Sequence, residues 1–307
     1  MTMGPVLYRA PRPGRRRPRR AATLVLVALL AAASTVAVRA ATTRPRPAAQ
    51  PRAASTRPAR PRRTGRRLPA VAGPAAPSCP PTTPLRQGRA VGPVGRTPVP
   101  AAVRHSPWVH YRLPTATAGR SIAVTFDDGP DPRYTPQILA ILARAHTPAT
   151  FFMVGRQAAT HPQLVRQVAQ AGQAIGGHTW NHVLLDRLPP GRVAAEVDCT
   201  DRLLAGLTGR AVRLVRPPDG AYDRRVVDLL AAQDLQLVLW TVDSRDWARP
   251  GVGRIVATVT RELGPGAIIL FHDGGGDRSQ TVAALPQVLG LLHARGYRAM
   301  ALPTSPA

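Results

Sequence analysis

From about residue 119 onward the apolar residues come in short blocks. The runs 122–126, 150–154, 174–177, 212–215, 236–242, 267–271 and 297–301 are each a few residues long and bounded by turn formers, the pattern of buried strands. Between them the period lengthens. In 134–145, Ile138, Ile141 and Leu142 share one helical face, and in 193–207 Val197, Leu203 and Leu204 do the same. The stretch 161–171 opens with Pro162, favoured in a first helical turn, and stops at Gly172. Strand blocks alternating with helical patterns predict βα units. About seven parallel strands covered by helices predict an α/β fold, a distorted (β/α) barrel, which closes on itself and leaves no sheet edge exposed.

Upstream of residue 119 the pattern changes character. Residues 21–38 carry no charge and follow Arg15, Arg16, Arg17, Arg19 and Arg20, the layout of a signal sequence or a single membrane anchor. Residues 21–40 are therefore read as that segment, with the basic stretch 1–20 on the cytoplasmic side. An uncleaved anchor is favoured, because Val38-Arg39-Ala40 matches a small-residue cleavage site only loosely. Arg39, Arg44 and Arg46 beyond the span dilute the charge asymmetry that orients it. Residues 41–118 are rich in Pro, Ala and Arg and offer no apolar period, so they predict a disordered, partly polyproline linker. Residues 119–307 form the expected domain.

The charge follows the same division. All 42 basic residues are arginine and all 16 acids lie at or after Asp127, so of the net charge of +26 about 23 lies in residues 1–120 and the remainder of the chain is near +3. Such a tail suits anionic lipid or acidic wall polymers. It has no interleaved aromatics and no nucleic-acid fold motif, which excludes a specific nucleic-acid binder. The expected location is extracytoplasmic, membrane-anchored or secreted, facing the cell wall. Cys79 and Cys199 are the only cysteines. They leave two readings open, a disulfide tying linker to domain or a free buried Cys199, and neither has a second thiol nearby for a metal.

Chemistry gathers at the predicted strand ends. Asp127 and Asp128 follow the run 122–126, and adjacent residues at a strand end point in different directions, so one can hold a metal while the other moves a proton. His178 and His182, spaced by four, reach a common point on a helical turn or tight loop, and with Asp128 they make an open three-ligand set of the hydrolytic type. Arg216, followed by two prolines, can pair with Asp127 across the rim. His272 ends the run 267–271 and becomes a candidate acid if Asp246 or Asp243 keeps it protonated.

Five stretches, Thr125-Phe-Asp-Asp-Gly-Pro130, His178-Thr-Trp-Asn-His182, Arg216-Pro-Pro-Asp-Gly220, Asp243-Ser-Arg-Asp-Trp247 and Leu270-Phe-His272, resemble in order the motifs of the polysaccharide deacetylases, the NodB-homology carbohydrate esterases. The resemblance spans about residues 119–302. It implies a distorted barrel and a divalent metal, usually zinc, on Asp128, His178 and His182. It also implies a base at Asp127 tethered by Arg216, and an acid at His272 supported by Asp246. Trp247 and Leu270 belong to the matching motifs and are expected at the substrate, and the backbone N–H near Asp219 is expected to face the oxyanion. Two positions depart from the family pattern. Asp219 stands where Tyr is common, and Gly177 stands where Asn is common.

The implied activity is removal of N-acetyl groups from a glycan, peptidoglycan or a chitin-like polymer. An O-acetyl esterase on polysaccharide is the alternative within the same chemistry. A catalytically weak wall-binding protein is the alternative outside it.

Overall fold

The computed structural model describes residues 79–81, 99–114 and 119–303. Among them lie nine strands: β1 (Val109–His110), β2 (Ser121–Asp127), β3 (Thr150–Met153), β4 (Ala174–Gly177), β5 (Leu214–Val215), β6 (Gln236–Val238), β7 (Val242–Asp243), β8 (Ile268–His272) and β9 (Arg298–Ala299). The sheet runs β1-β6-β5-β4-β3-β2-β8-β7, with β9 beside the start of β2, and its strand pairs are parallel. Parallel neighbours need crossovers. Helices supply them, notably Thr135–Arg144 after β2, Pro162–Gln170 after β3, Pro190–Thr208 after β4, Arg224–Ala231 after β5 and Val252–Glu262 after β7, while Ser279–Ala294 follows β8.

Alternation along the strands sorts residues into layers. In β2, Ile122, Val124 and Phe126 are buried with Ile138, Leu142 and Leu285 of the covering helices. Ala123 faces the other way, into an apolar plug with Phe152, Leu214, Val238, Ile268 and Leu302. Thr125 and Asp127 continue that inner column. In β8, Ile269 and Phe271 belong to the outer layer and Ile268, Leu270 and His272 to the inner one. Phe126 stacks between Phe151 and Phe271, with ring centroids at 5.0 and 5.9 Å. Each such fully buried aromatic stabilises the fold by about 1.5–3 kcal/mol. The inner columns thus run from apolar at the amino ends of the strands to polar at their carboxyl ends.

Two expectations change. The strand expected over 236–242 is divided, because β6 pairs with β5 and β1 whereas β7 pairs with β8 at the far end of the strand order. The chain crosses between them at residues 239–241, where the N–H of Thr241 already donates to the carbonyl of Ile268 at 3.1 Å. One continuous stretch therefore serves both ends of the curled sheet. The linker expected through residue 118 also ends sooner. Val103 and Val109 are buried with Tyr222, Val226 and Leu237, and the N–H of Leu113 donates to the carbonyl of Gly266 at 2.9 Å. These few apolar residues show no period of their own, and only docking on β6 reveals their place.

Cys79 and Cys199 form a disulfide, which decides between the two readings left open by the sequence. The basic segment 1–20 and the span expected over 21–40 lie outside the described residues, as does most of the linker. Among the described residues no helix is long and apolar enough to cross a membrane.

Candidate active site

Strand register builds the rim. Asp127 and His272 are partners across the β2–β8 pair, the last residues of both strands. Gly177 and Val215 are partners across β4 and β5, so His178 and Arg216 leave the sheet side by side. There the Nδ1–H of His178 donates to the carbonyl of Arg216 at 2.6 Å. Asp128 turns away from Asp127 at φ 75°, and side chains on Gly274 or Gly275 would collide with it.

Asp128, His178 and His182 present donor atoms that all lie within 4.8 Å of one another. Asp128 Oδ1 is 3.4 Å from His178 Nε2 and 3.1 Å from His182 Nε2, yet it is buried and has no hydrogen-bond partner among the described residues. A buried carboxylate oxygen without a donor is costly unless a cation completes it. Because the Nδ1 proton of His178 is committed to a carbonyl, its Nε2 presents a lone pair inward. Two imidazoles and one carboxylate are the donor set of a hydrolytic divalent metal, so these residues fit one. Burial alone would raise the Asp128 pKa, but the charge of His182 and contact with His178 hold it well below the usual range. For His182, burial pulls the other way and Asp128 outweighs it, leaving the pKa raised.

The loop between the two imidazoles is a tight turn rather than a helix. Thr179 and His182 adopt φ of 62° and 56°, conformations that non-glycine residues keep only when neighbours enforce them. The enforcement is visible. The carbonyl of Thr179 accepts from the N–H of Gly155 at 2.9 Å, and Glu196 accepts from the backbone N–H and the Nδ2 of Asn181 at 2.8 and 3.0 Å.

Asp127 is placed by Arg216, which is wholly buried. Its Nη1 donates to Asp127 Oδ1 at 2.7 Å and to Thr125 Oγ1 at 2.8 Å, while Nε and Nη2 donate to the carbonyls of Val238 and Leu239. The guanidinium lies 4.0 Å over the ring of Phe152. Burial lowers the Arg216 pKa, and Asp127 opposes that. The second oxygen of Asp127 faces the ligand cluster, 3.8 Å from His178 Nε2.

On the other side, His272 donates from Nδ1 to Asp246 Oδ1 at 2.7 Å. Asp246 Oδ2 accepts from the N–H of His272 at 2.9 Å and from Thr281 Oγ1 at 2.7 Å. Burial would push the His272 pKa down, but the Asp246 carboxylate lifts it to about 9. Burial would raise Asp246, and the positive imidazole beside it holds it low instead. Asp243 is not the partner of His272. Its carboxylate accepts from the N–H of Arg245 at 2.8 Å and lies at the limit of reach, 3.5 Å, from Trp247 Nε1.

The remaining expected residues are found at the same rim. Trp247 is half-buried after β7, and Leu270 lies in the inner column directly below His272. Asp219 is exposed in the turn Pro218–Gly220 at φ 53°, and its charge reaches His182. At Gly177 a Cβ would lie 2.6 Å from Asp201 Oδ1, so the carboxylate of Asp201 takes the space that a larger residue would need.

Three contributors were not singled out from sequence. Arg278 lies 3.8 Å from Asp128 Oδ2, Thr281 bonds Asp246, and Asp273 is buried behind Gly129 with its pKa pushed up to about 7 by burial. The Gly274-Gly-Gly276 run before Arg278 was the available signal, since consecutive glycines at a strand end mark close backbone approach.

This curled parallel sheet carries, between a tethered carboxylate and a carboxylate-backed imidazole, a cluster whose donors fit a divalent metal, an arrangement suited to hydrolysis. The sequence model of the polysaccharide deacetylases matches residues 115–238. A chitooligosaccharide deacetylase of Bradyrhizobium sp. (strain ANU 289) is 40% identical over 196 residues, covering 60% of this chain and 90% of that protein. A peptidoglycan-N-acetylglucosamine deacetylase of Bacillus cereus is 42% identical over 179 residues, covering 58% of this chain and 84% of that protein. The crystal structure of the Bc1960 peptidoglycan N-acetylglucosamine deacetylase superposes with a TM-score of 0.62 at 32% identity, covering 64% of this chain and 92% of that one. The chain belongs to the polysaccharide deacetylase family.

Proposed function

We propose that this polysaccharide deacetylase hydrolyses the acetamide of N-acetylglucosamine units in a cell-wall glycan, peptidoglycan above a chitin-like polymer, with zinc on Asp128, His178 and His182. The observation that carries the reading is the convergence of three separately supported groups on one rim: the ligand cluster, Asp127 with Arg216, and His272 with Asp246. A divalent ion bound there supplies Lewis acidity, which polarises a carbonyl and lowers the pKa of water from about 15.7 towards about 7.

The chain's own residues do the proton work. With Oδ1 engaged by Arg216, the free oxygen of Asp127 takes the proton of the attacking water as its oxygen bonds to the acetyl carbon. The backbone N–H at Asp219 stabilises the developing oxyanion, a contribution of the kind worth about 3–4 kcal/mol. His272 delivers a proton from Nε2 to the sugar nitrogen as the C–N bond breaks, since an unprotonated amide nitrogen is a very poor leaving group. Acetate and the free amino sugar result. Trp247 and Leu270 shape the substrate side of this rim.

The disulfide supports an extracytoplasmic site of action, because such bonds persist in oxidising compartments. On this reading residues 1–20 stay cytoplasmic, 21–40 anchor the chain, and the Arg-rich stretch beyond contacts anionic lipid or wall polymer. The peptidoglycan preference draws on the named Bacillus relative. The deciding assay is acetate release by the zinc-loaded full chain from peptidoglycan and from an N-acetylglucosamine oligomer, beside an O-acetylated xylan. Release from the first two supports the reading. Release from xylan alone would make the protein an O-acetyl esterase, and release from none would make it a wall-binding relative.

A further inference from the structure

We propose that residues 79–81 form a disulfide-locked strap that positions the metal-ligand loop, acting through Asn181. The inference rests on the metal reading of the site.

Asn181 stands between the two imidazoles in sequence, three residues after His178 and one before His182, and is buried. Its Nδ2 carries two protons and meets two acceptors. One is Glu196 Oε1 at 3.0 Å, the other the carbonyl of Pro81 at 3.2 Å. Glu196 is itself wholly buried on the helix Pro190–Thr208, and Cys199 lies three residues further along that helix on its buried side. Cys199 is bonded to Cys79, two residues before Pro81. The contacts therefore close a ring: Cys79 to Pro81, Pro81 to Asn181, Asn181 to Glu196, Glu196 along the helix to Cys199, and Cys199 back to Cys79. Pro80 and Pro81 stiffen the short arm of this ring, since each fixes its φ. Pro80 is buried against the domain, which fixes where the Pro81 carbonyl points.

The ligand loop has a use for such an arm. Thr179 and His182 keep left-handed φ only while the surroundings over-determine them, and Asn181 is the residue between them that is gripped from two sides. Partners behind ligands commonly tune metal affinity by 10- to 100-fold. A cross-link that merely joined residues 120 apart in sequence would raise the melting temperature and leave metal affinity alone.

The test uses the full chain with Cys79→Ser, and with Cys199→Ala to cut the same bond from the other side. Zinc affinity is measured by chelator competition, alongside thermal melting. The expected result is about tenfold weaker zinc binding in both variants. Asn181→Ser with the disulfide intact should weaken zinc at least as much, since it also gives up Glu196 Oε1, and adding Cys79→Ser to it should change little more, because the strap acts through Asn181. Cysteine variants that melt earlier but bind zinc like the wild type would overturn the proposal, as would fully additive losses. Cys79 is exposed, so its variant decides the matter should Asn181→Ser not fold. A wild-type chain that takes up no zinc would instead refute the metal reading, a different result from an unaffected variant.

Discussion

Behind His178 the Nδ1 proton meets a peptide carbonyl, that of Arg216, at 2.6 Å. Behind His272 it meets a carboxylate, that of Asp246, at 2.7 Å. The two rings stand on the same rim at strand ends, and the two distances barely differ. The partners differ in charge. A carbonyl fixes the tautomer without inviting a second proton, which leaves Nε2 free to bind a cation. A buried carboxylate stabilises the imidazolium, which turns Nε2 into a proton donor. In the proposed mechanism one side chain thus serves as ligand or acid according to the atom behind it.

The largest effect should come from removing the ligand. His178→Ala is expected to lose bound zinc together with about 10³-fold or more of amide turnover, whereas Asp127→Asn should lose turnover with zinc retained. Metal analysis beside acetate release checks this, and zinc lost from Asp127→Asn but kept by Asp128→Asn would reverse the two roles.

Next in size is His272→Ala. Amide hydrolysis should fall by about 10²- to 10⁴-fold with zinc unchanged, while an activated acetate ester, whose leaving group needs no proton, should be largely spared. Equal losses on both substrates would make His272 a structural residue and erase the contrast with His178.

Asp246→Asn replaces the carboxylate by a neutral amide and makes the partner of His272 resemble that of His178. His272 as acid works below its pKa, so activity is present on the acid side and lost as pH rises through it. The alkaline limb should therefore move from about 9 down towards about 6.5, the unperturbed value. The same linkage acts on stability of the metal-free chain. The pair contributes fully below about 6.5, and its contribution fades as pH rises through about 9. A pH–rate profile that does not move would assign the limb to another group.

Thr281→Val should give the smallest change. It removes one donor to Asp246 Oδ2, worth about 0.5–1.5 kcal/mol, so turnover should drop a few-fold to roughly tenfold without loss of zinc.

The parts of this design that were legible in sequence are those carried by local pattern. The blocks 122–126, 150–154 and 174–177 foretold strands because each is short, apolar and bounded, and the polar residues following the first and third, Asp127 and His178, marked the rim. Residues 236–242 looked like one strand because periodicity reports burial and not which neighbour supplies the hydrogen bonds. Val109 sat in a stretch whose composition argued for a linker, and its burial comes from β6, more than a hundred residues away. The choice between Asp243 and Asp246 was open in sequence, since both lie in one short loop and only the fold determines which faces His272. Arg278 and Thr281 escaped notice for a similar reason, because their partners arrive from other segments.

Arg216 ties the chemistry to the curl of the sheet. It leaves β5, yet its donors end on Thr125 and Asp127 of β2, three places along in the sheet order with β4 and β3 between, and on the carbonyls of Val238 and Leu239 at the end of β6. These acceptors come within one side chain's length only when the sheet has curled. Without that curl, Asp127 at the end of β2 would have no cation to aim its carboxylate. Hydrolytic competence is thus a property of the curled sheet as a whole, held by one side chain that spans it, rather than of the individual residues.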